Sequence, residues 1–95
     1  MKFVNNARYI KDTDKINSVR PAHREYLAKI FAEGKLLLAG PYVDGSGATI
    51  VYEADSIDAA HELAKGDPFF YEGVFEHYEL KEWKAVFVSK AIEAQ

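Results

Sequence analysis

The chain has 95 residues, which suffice for one domain with a single modest hydrophobic core and are too few for two domains. Its 48% hydrophobic content, with six Phe, six Tyr and one Trp, argues against disorder, and its net charge of −3 provides no basic surface for nucleic acid or anionic lipid. The absence of cysteine excludes disulfides, thiolate metal sites and cysteine nucleophiles.

We expect one domain across residues 1–95, with a core of about residues 3–87 and a C-terminal tail at 88–95. The N-terminal residues lack the apolar segment of a signal peptide, and no stretch approaches the roughly 20 apolar residues of a membrane span. These features predict a cytoplasmic protein whose partners include neither a membrane nor a nucleic acid.

In the first half of the chain, the pattern predicts a strand, a helix and a second strand. The first strand is expected at Phe3–Ile10, followed by a polar connection at Lys11–Val19. Helix 1 is expected at Pro21–Glu33, because proline suits the first helical position and Gly34 suits the residue after the last. The apolar segment Lys35–Ala39 predicts the second strand.

The second half begins with Gly40–Gly47, a segment rich in turn-forming residues. A third strand is expected at Ala48–Ala54 and a second helix at Ser56–Lys65. Asp67 then precedes a proline in the manner of an N-cap before a new helical turn, and the last strand is expected at Val74–Trp83.

This order, β-α-β-β-α-β, is that of a ferredoxin-like α+β sandwich with an antiparallel sheet. Its connectivity brings the start of helix 1, the turn between strands 2 and 3, and the end of helix 2 to one edge of the sheet. The candidate residues in these segments are Arg20 and His23, then Gly40, Pro41 and Asp44, then Asp67 and Phe69. We therefore predict a small-molecule site at this edge.

His23 is the most informative of these residues. The apolar positions Tyr26, Leu27, Ile30 and Phe31 all fall within roughly 80° of it on a helix, so a titratable ring stands on the face that should be buried. Such a ring is either a structural core histidine whose ring nitrogens are hydrogen-bonded within the protein, or the centre of a functional site. In a site, it is a competent general acid or base near neutral pH.

An aspartate that accepts a hydrogen bond from one ring nitrogen would fix the tautomer and leave the other nitrogen for the substrate. Asp67 and Asp44 are both candidates, although an N-cap adequately explains Asp67 and turn chemistry adequately explains Asp44. Arg20 is a candidate to hold a carboxylate or a phenolate. Metal binding is not expected, because the three histidines lack ligand spacing.

A family resemblance is carried by short motifs spread over most of the chain. They are Arg20-Pro21-Ala22-His23, Gly34–Pro41, Asp44, Gly47, Ser56–Ala60, Asp67-Pro68-Phe69, Gly73-Val74 and Trp83. Over about residues 18–87, this spaced combination closely resembles the YCII-related family.

The resemblance implies a ferredoxin-like protomer that pairs into a homodimer through its open sheet face, as a dimeric α+β barrel. The family is thought to carry a His–Asp pair, which corresponds here to His23 and Asp67. Its best understood relatives are dehydrochlorinases that act on chlorinated hydroxyquinol-type rings without a cofactor.

Two hypotheses for the function follow. The first is a cofactor-independent enzyme that catalyses proton transfer or elimination on a small aromatic or enolisable substrate, as a lyase, isomerase or dehydrochlorinase. Its acid or base would be His23, oriented by Asp67. The substrate contacts would be Arg20, Gly40, Pro41, Asp44 and Phe69, with Tyr26, Tyr42, Phe70 and Tyr71 as further walls. The second hypothesis is a dimeric small-molecule-binding or regulatory module that has the same pocket and no chemistry.

Overall fold

A computed structural model describes residues 1–93 of the chain. Its elements are β1 (Lys2–Tyr9), α1 (Thr13–Ala32), β2 (Leu36–Pro41), β3 (Gly47–Glu53), α2 (Ile57–Lys65), α3 (Pro68–Tyr71), β4 (Phe75–Trp83) and α4 (Lys90–Glu93). The strands, α2 and α3 lie where the sequence predicts them, with ends that differ by no more than one or two residues. The tail forms α4, and its last two residues lie outside the described part of the chain.

The four strands form one antiparallel sheet in the order β2-β3-β1-β4. The central strand β1 pairs with β3 on one side and with β4 on the other. This arrangement is the predicted ferredoxin-like α+β fold, and the fold class is confirmed.

The predicted start of helix 1 at Pro21 is wrong, because α1 begins at Thr13. Asp12 is the N-cap, and its side chain accepts a hydrogen bond from the backbone N–H of Lys15. Ile16 is buried and continues the apolar stripe of the helix back into the segment that was predicted to be a polar connection. Pro21 is accommodated inside the helix on its exposed side. As a result, His23 lies in the middle of a long helix and not in its first turn.

The two faces of the sheet differ. The odd-numbered side chains of β1, from Phe3 to Tyr9, are buried under the helices together with Ile50 and Tyr52 of β3. On the helical side, Ile16 and Ile30 of α1, Ala64 of α2 and Phe69 of α3 complete the same core. In the part of the chain that the structure describes, α1, α2 and α3 all pack on this one face. The tail segment lies beside the opposite face, and Phe87 of the tail lines an open space of about 640 Å³ together with Leu38 and Val51 of the sheet.

Within residues 1–93, no helix has both the length and the apolar composition that a membrane crossing requires.

Candidate active site

A buried pair of side chains, His23 and Asp67, lies between α1 and the start of α3. His23 is 7% exposed and Asp67 is fully buried. The distance between Nδ1 of His23 and Oδ1 of Asp67 is 2.7 Å. Because an ionised carboxylate only accepts hydrogen bonds, Nδ1 is the donor in this pair and carries the proton. The tautomer that leaves Nε2 unprotonated is therefore the one that Asp67 favours.

Two further contacts hold this pair in place. Oδ1 of Asp67 also accepts a hydrogen bond from the backbone N–H of Phe69 at 2.9 Å, since Asp67 is the N-cap of α3. The Phe69 ring stacks on the imidazole of His23, with centroids 3.8 Å apart and planes 4° from parallel. The carboxylate and the imidazole are thus both oriented by the first turn of the same short helix.

A cavity of about 250 Å³ lies beside His23. Its walls are formed by Tyr9, His23, Arg24, Leu27, Ala39, Gly40, Pro41, Ala48 and Ile50. Nδ1 of His23 is engaged with Asp67, and among residues 1–93 no group forms a hydrogen bond with Nε2. Nε2 is therefore the ring nitrogen that remains for a molecule in this cavity.

One side of the cavity is cationic. Arg24 lines it, and Arg20 lies one helical turn earlier on α1. Burial raises the pKa of the Tyr9 hydroxyl, the positive charge of Arg20 opposes this rise, the negative charge of Asp67 adds to it, and the positive charge of Arg24 opposes it. Within the described residues, neither arginine forms an ion pair with an acidic side chain.

The structure brings most of the predicted site residues together. His23 contacts Asp67 and Phe69, and Gly40 and Pro41 form part of the cavity wall. Asp44 does not line the cavity. It lies in the exposed loop between β2 and β3, where its Oδ1 accepts a hydrogen bond from the backbone N–H of Ser46 at 2.9 Å. Hydrogen bonding to Ser46 lowers the pKa of Asp44, as in an ordinary turn.

Two residues that line the cavity, Tyr9 and Arg24, were not predicted as site residues, although a signal for each was available. Tyr9 ends β1 at the edge where the loop between strands 2 and 3 begins, so the same connectivity argument applies to it. Arg24 directly follows His23. The predicted aromatic walls lie elsewhere: the hydroxyl of Tyr26 donates to the Leu63 carbonyl, and Tyr71 is 64% exposed.

The geometry of the His23–Asp67 pair is suited to accepting a proton from a bound molecule. A neutral imidazole can accept a proton at Nε2, and the buried carboxylate on Nδ1 stabilises the imidazolium that results. Among the residues that the structure describes, no three His, Cys, Asp or Glu side chains are placed to hold a metal ion.

Comparison with protein families matches residues 1–84 to the model of the YCII-related domain. Protein YciI of Escherichia coli O6:H1 (strain CFT073) is 41% identical over 80 residues, which cover 74% of this chain and 82% of YciI. The protein YjpA of Bacillus subtilis (strain 168) is 40% identical over 73 residues, covering 76% of this chain and 85% of YjpA.

Among solved structures, this chain is similar to the 5-chloro-2-hydroxyhydroquinone dehydrochlorinase TftG of Burkholderia phenoliruptrix AC1100, in its complex with 2,5-dihydroxybenzoquinone. The TM-score is 0.79 at 26% sequence identity, and the match covers 88% of this chain and 94% of TftG.

Proposed function

The chain belongs to the YCII-related family, and from that premise we propose that it is a cofactor-independent enzyme that moves a proton on a small aromatic or enolisable substrate. The observation that carries the proposal is the buried His23–Asp67 hydrogen bond of 2.7 Å beside a cavity. His23 is the general base and then the general acid, and Asp67 orients it. The similarity to a dehydrochlorinase supports an elimination as the reaction.

In the proposed reaction, Nε2 of His23 accepts a proton from an O–H or C–H group of the substrate. The electron pair of the broken bond moves into the conjugated system of the substrate. In an elimination, the imidazolium first returns this proton to the ring carbon that bears chlorine, which becomes tetrahedral. His23 then accepts the proton of a second hydroxyl, and the electron pair of that O–H bond forms a carbonyl and expels chloride from the tetrahedral carbon through the intervening double bond. The imidazolium finally loses this second proton to solvent. In an isomerisation, His23 returns the proton to another carbon. Asp67 stabilises the imidazolium in both cases.

The cavity limits the substrate class. Its volume of about 250 Å³ lies below the usual range for drug-sized ligands, so it suits a molecule of about one ring. Arg24 in the wall, with Arg20 close by, suits a substrate whose reacting group is an acidic hydroxyl or a carboxylate. Leu27 and Ile50 provide apolar walls for the ring.

The proposal is tested with 5-chloro-2-hydroxyhydroquinone, the compound in the name of the similar dehydrochlorinase. We expect the protein to release chloride from it under anaerobic conditions, at a rate proportional to the protein concentration. In parallel, NMR should show that 2,5-dihydroxybenzoquinone perturbs the imidazole signals of His23. The signals of His61 should stay unchanged, because His61 forms a hydrogen bond with Tyr78 and does not line the cavity.

Perturbation of His23 without chloride release would contradict the proposed elimination and favour a small-molecule-binding module. If neither chloride release nor binding occurs, a chlorinated hydroxyquinol is excluded as the substrate. Hydrogen–deuterium exchange into a panel of enolisable keto acids then decides whether this chain transfers protons at all.

We also propose that the protein is a homodimer that pairs through the open face of its sheet. Large apolar side chains stay exposed on this face and on the tail beside it: Leu38 is 51% exposed, Trp83 49% and Phe87 96%. Light scattering coupled to size-exclusion chromatography should give twice the chain mass of 10.7 kDa. A monomer mass at micromolar concentration would contradict the pairing.

A further inference from the structure

Tyr9 lies at the end of β1, and its side chain lines the cavity beside His23. Two aromatic rings hold the phenol ring in the cavity wall. Phe69 packs edge-on against it with centroids 5.3 Å apart, and Phe75 stacks on it at 6.4 Å with planes 11° from parallel. The backbone is fixed as well, since the N–H of Tyr9 donates to the Ser46 carbonyl at 2.9 Å. The position of the Tyr9 hydroxyl is therefore set before any molecule binds.

The Tyr9 hydroxyl differs from those of the other tyrosines that pack in or against the core. Those hydroxyls are hydrogen-bonded within the protein, Tyr26 to Leu63, Tyr52 to Asn5 and Tyr78 to His61. Within residues 1–93 the hydroxyl of Tyr9 has no such partner, and unlike Oδ2 of Asp67 it is not sealed off from solvent. Tyr9 is only 5% exposed and the space that it lines is the cavity, so its hydroxyl opens toward a molecule bound there.

A β-bulge explains why this hydroxyl lacks a partner on the neighbouring strand. The pairing of β1 with β4 matches Arg8 to His77 but Tyr9 to Phe75, so Glu76 is an extra residue between them. In a regular pair Glu76 would lie opposite Tyr9, and its carboxylate would share the face of the phenol ring. Instead, Phe75 takes that place, and Glu76 forms an ion pair with the exposed Arg8 at 3.0 Å. The bulge thus places an apolar ring beside Tyr9 where a carboxylate would have bound its hydroxyl.

Three side chains of the cavity wall carry polar atoms, those of Tyr9, His23 and Arg24, and the other lining residues are aliphatic, proline or glycine. Each of the three offers a different contact. Nε2 of His23 accepts a proton, and the guanidinium of Arg24 binds an anionic oxygen. Burial is the main influence on the pKa of Tyr9 and raises it, so the hydroxyl stays protonated at neutral pH and is a neutral donor.

We propose that the Tyr9 hydroxyl donates a hydrogen bond to an oxygen of the bound molecule and that Tyr9 is thereby a specificity-determining residue of the cavity. The ligand class is a conjugated ring with one anionic oxygen for Arg24 and a second oxygen, a carbonyl or a phenolate, for Tyr9. Negative charge develops on the second oxygen as His23 removes a proton, so the hydrogen bond strengthens in the transition state. This effect on turnover rests on the function proposed above, whereas the effect on ligand binding does not.

Tyr9→Phe removes the donor and keeps the ring, and Tyr26→Phe is its matched control. Tyr26 lies on α1 close to His23 in sequence, but its hydroxyl donates to the Leu63 carbonyl at 2.7 Å and it does not line the cavity. Isothermal titration calorimetry with 2,5-dihydroxybenzoquinone should give a Kd about 10-fold higher in Tyr9→Phe, the size of one hydrogen bond to a charged group, and an unchanged Kd in Tyr26→Phe.

Stability provides a second measurement on the same variant. Because the Tyr9 hydroxyl has no partner within residues 1–93, Tyr9→Phe removes no hydrogen bond that holds the fold, and its urea midpoint should equal that of the wild-type protein. A lower midpoint would show that the hydroxyl is bonded inside the protein and would overturn the proposal.

The proposal is also overturned by an unchanged Kd in Tyr9→Phe, by an equal rise in Tyr26→Phe, or by a wild-type protein that does not bind 2,5-dihydroxybenzoquinone. If the wild-type protein binds this compound and releases no chloride from 5-chloro-2-hydroxyhydroquinone, the proposed elimination fails by itself, while the ratio of the two Kd values still decides the role of Tyr9. Where chloride is released, kcat/KM should fall at least about 10-fold in Tyr9→Phe.

Discussion

His23→Gln and Asp67→Asn are each expected to lower kcat for chloride release by about 10²–10⁴-fold, the usual contribution of a positioned general acid or base. His23→Gln removes the group that accepts the proton. Asp67→Asn keeps the shape of the side chain but removes the charge that stabilises the imidazolium. The two losses should not add in the double variant, because the two residues act as one unit through a single 2.7 Å hydrogen bond.

Asparagine is chosen at position 67 because it should leave the fold unchanged, so that a fall in kcat can be assigned to the lost charge. Oδ1 of Asp67 caps α3 by accepting from the backbone N–H of Phe69, and the carbonyl oxygen of asparagine is an equally good N-cap acceptor. Asp67→Ala would lose the cap and the catalytic partner together. Far-UV circular dichroism and the urea midpoint of Asp67→Asn should therefore stay close to those of the wild-type protein.

His61→Gln is the matched control for His23→Gln. Its Nδ1 also pairs with a side chain, the hydroxyl of Tyr78 at 2.9 Å, but it lies on α2 and does not line the cavity. We expect its kcat to match the wild-type value. Full activity in His23→Gln, or an equal loss in His61→Gln, would remove His23 from the reaction.

The meeting of His23 and Asp67 was predictable from connectivity, even though the start of helix 1 was predicted wrongly. Pro21 was interpreted as the first helical residue, whereas Asp12 caps a helix in which that proline is internal. The error moved the beginning of α1 and left its direction and its apolar stripe unchanged. Because His23 belongs to that stripe, it still faces the start of α3, where Asp67 is the cap.

Other parts of the site depend on packing that no spacing rule specifies. The Phe69 ring can stack on His23 because Tyr9 and Phe75 hold it in position. Both rings pack edge-on against Phe69, with centroid distances of 5.3 Å for Tyr9 and 5.9 Å for Phe75. In the core under the helices, the hydrogen bond from Nδ2 of Asn5 to the Tyr52 hydroxyl likewise depends on strand register and on the side-chain rotamers of both residues.

Gly47→Ala is expected to destabilise the protein by more than about 3 kcal/mol, a loss of the size that follows when a backbone must move. Gly47 is the first residue of β3 and pairs with Arg8 of β1. A Cβ at this position would lie 1.9 Å from the carbonyl oxygen of Ala7. This neighbour is backbone in a central strand, so no side-chain rotation can relieve the overlap.

Gly40→Ala is the control for this substitution. Gly40 lies in the adjoining strand β2, opposite Thr49, and a Cβ there would meet no atom within 4 Å. Its free energy of unfolding should change by no more than about 1 kcal/mol, the range of strand propensities. Urea denaturation measures both variants, and a Gly47→Ala midpoint equal to that of Gly40→Ala would contradict the predicted overlap.

The position of Gly47 also connects the stability of the sheet to the site. The overlap lies at the end of the β1–β3 pair, where Tyr9 of β1 and Ala48 of β3 both line the cavity beside His23. Separation of the two strands at this point would displace the part of the cavity wall that Tyr9 and Ala48 form. Any Gly47→Ala protein that remains folded should therefore bind 2,5-dihydroxybenzoquinone more weakly than the wild-type protein, although no atom of Gly47 lines the cavity.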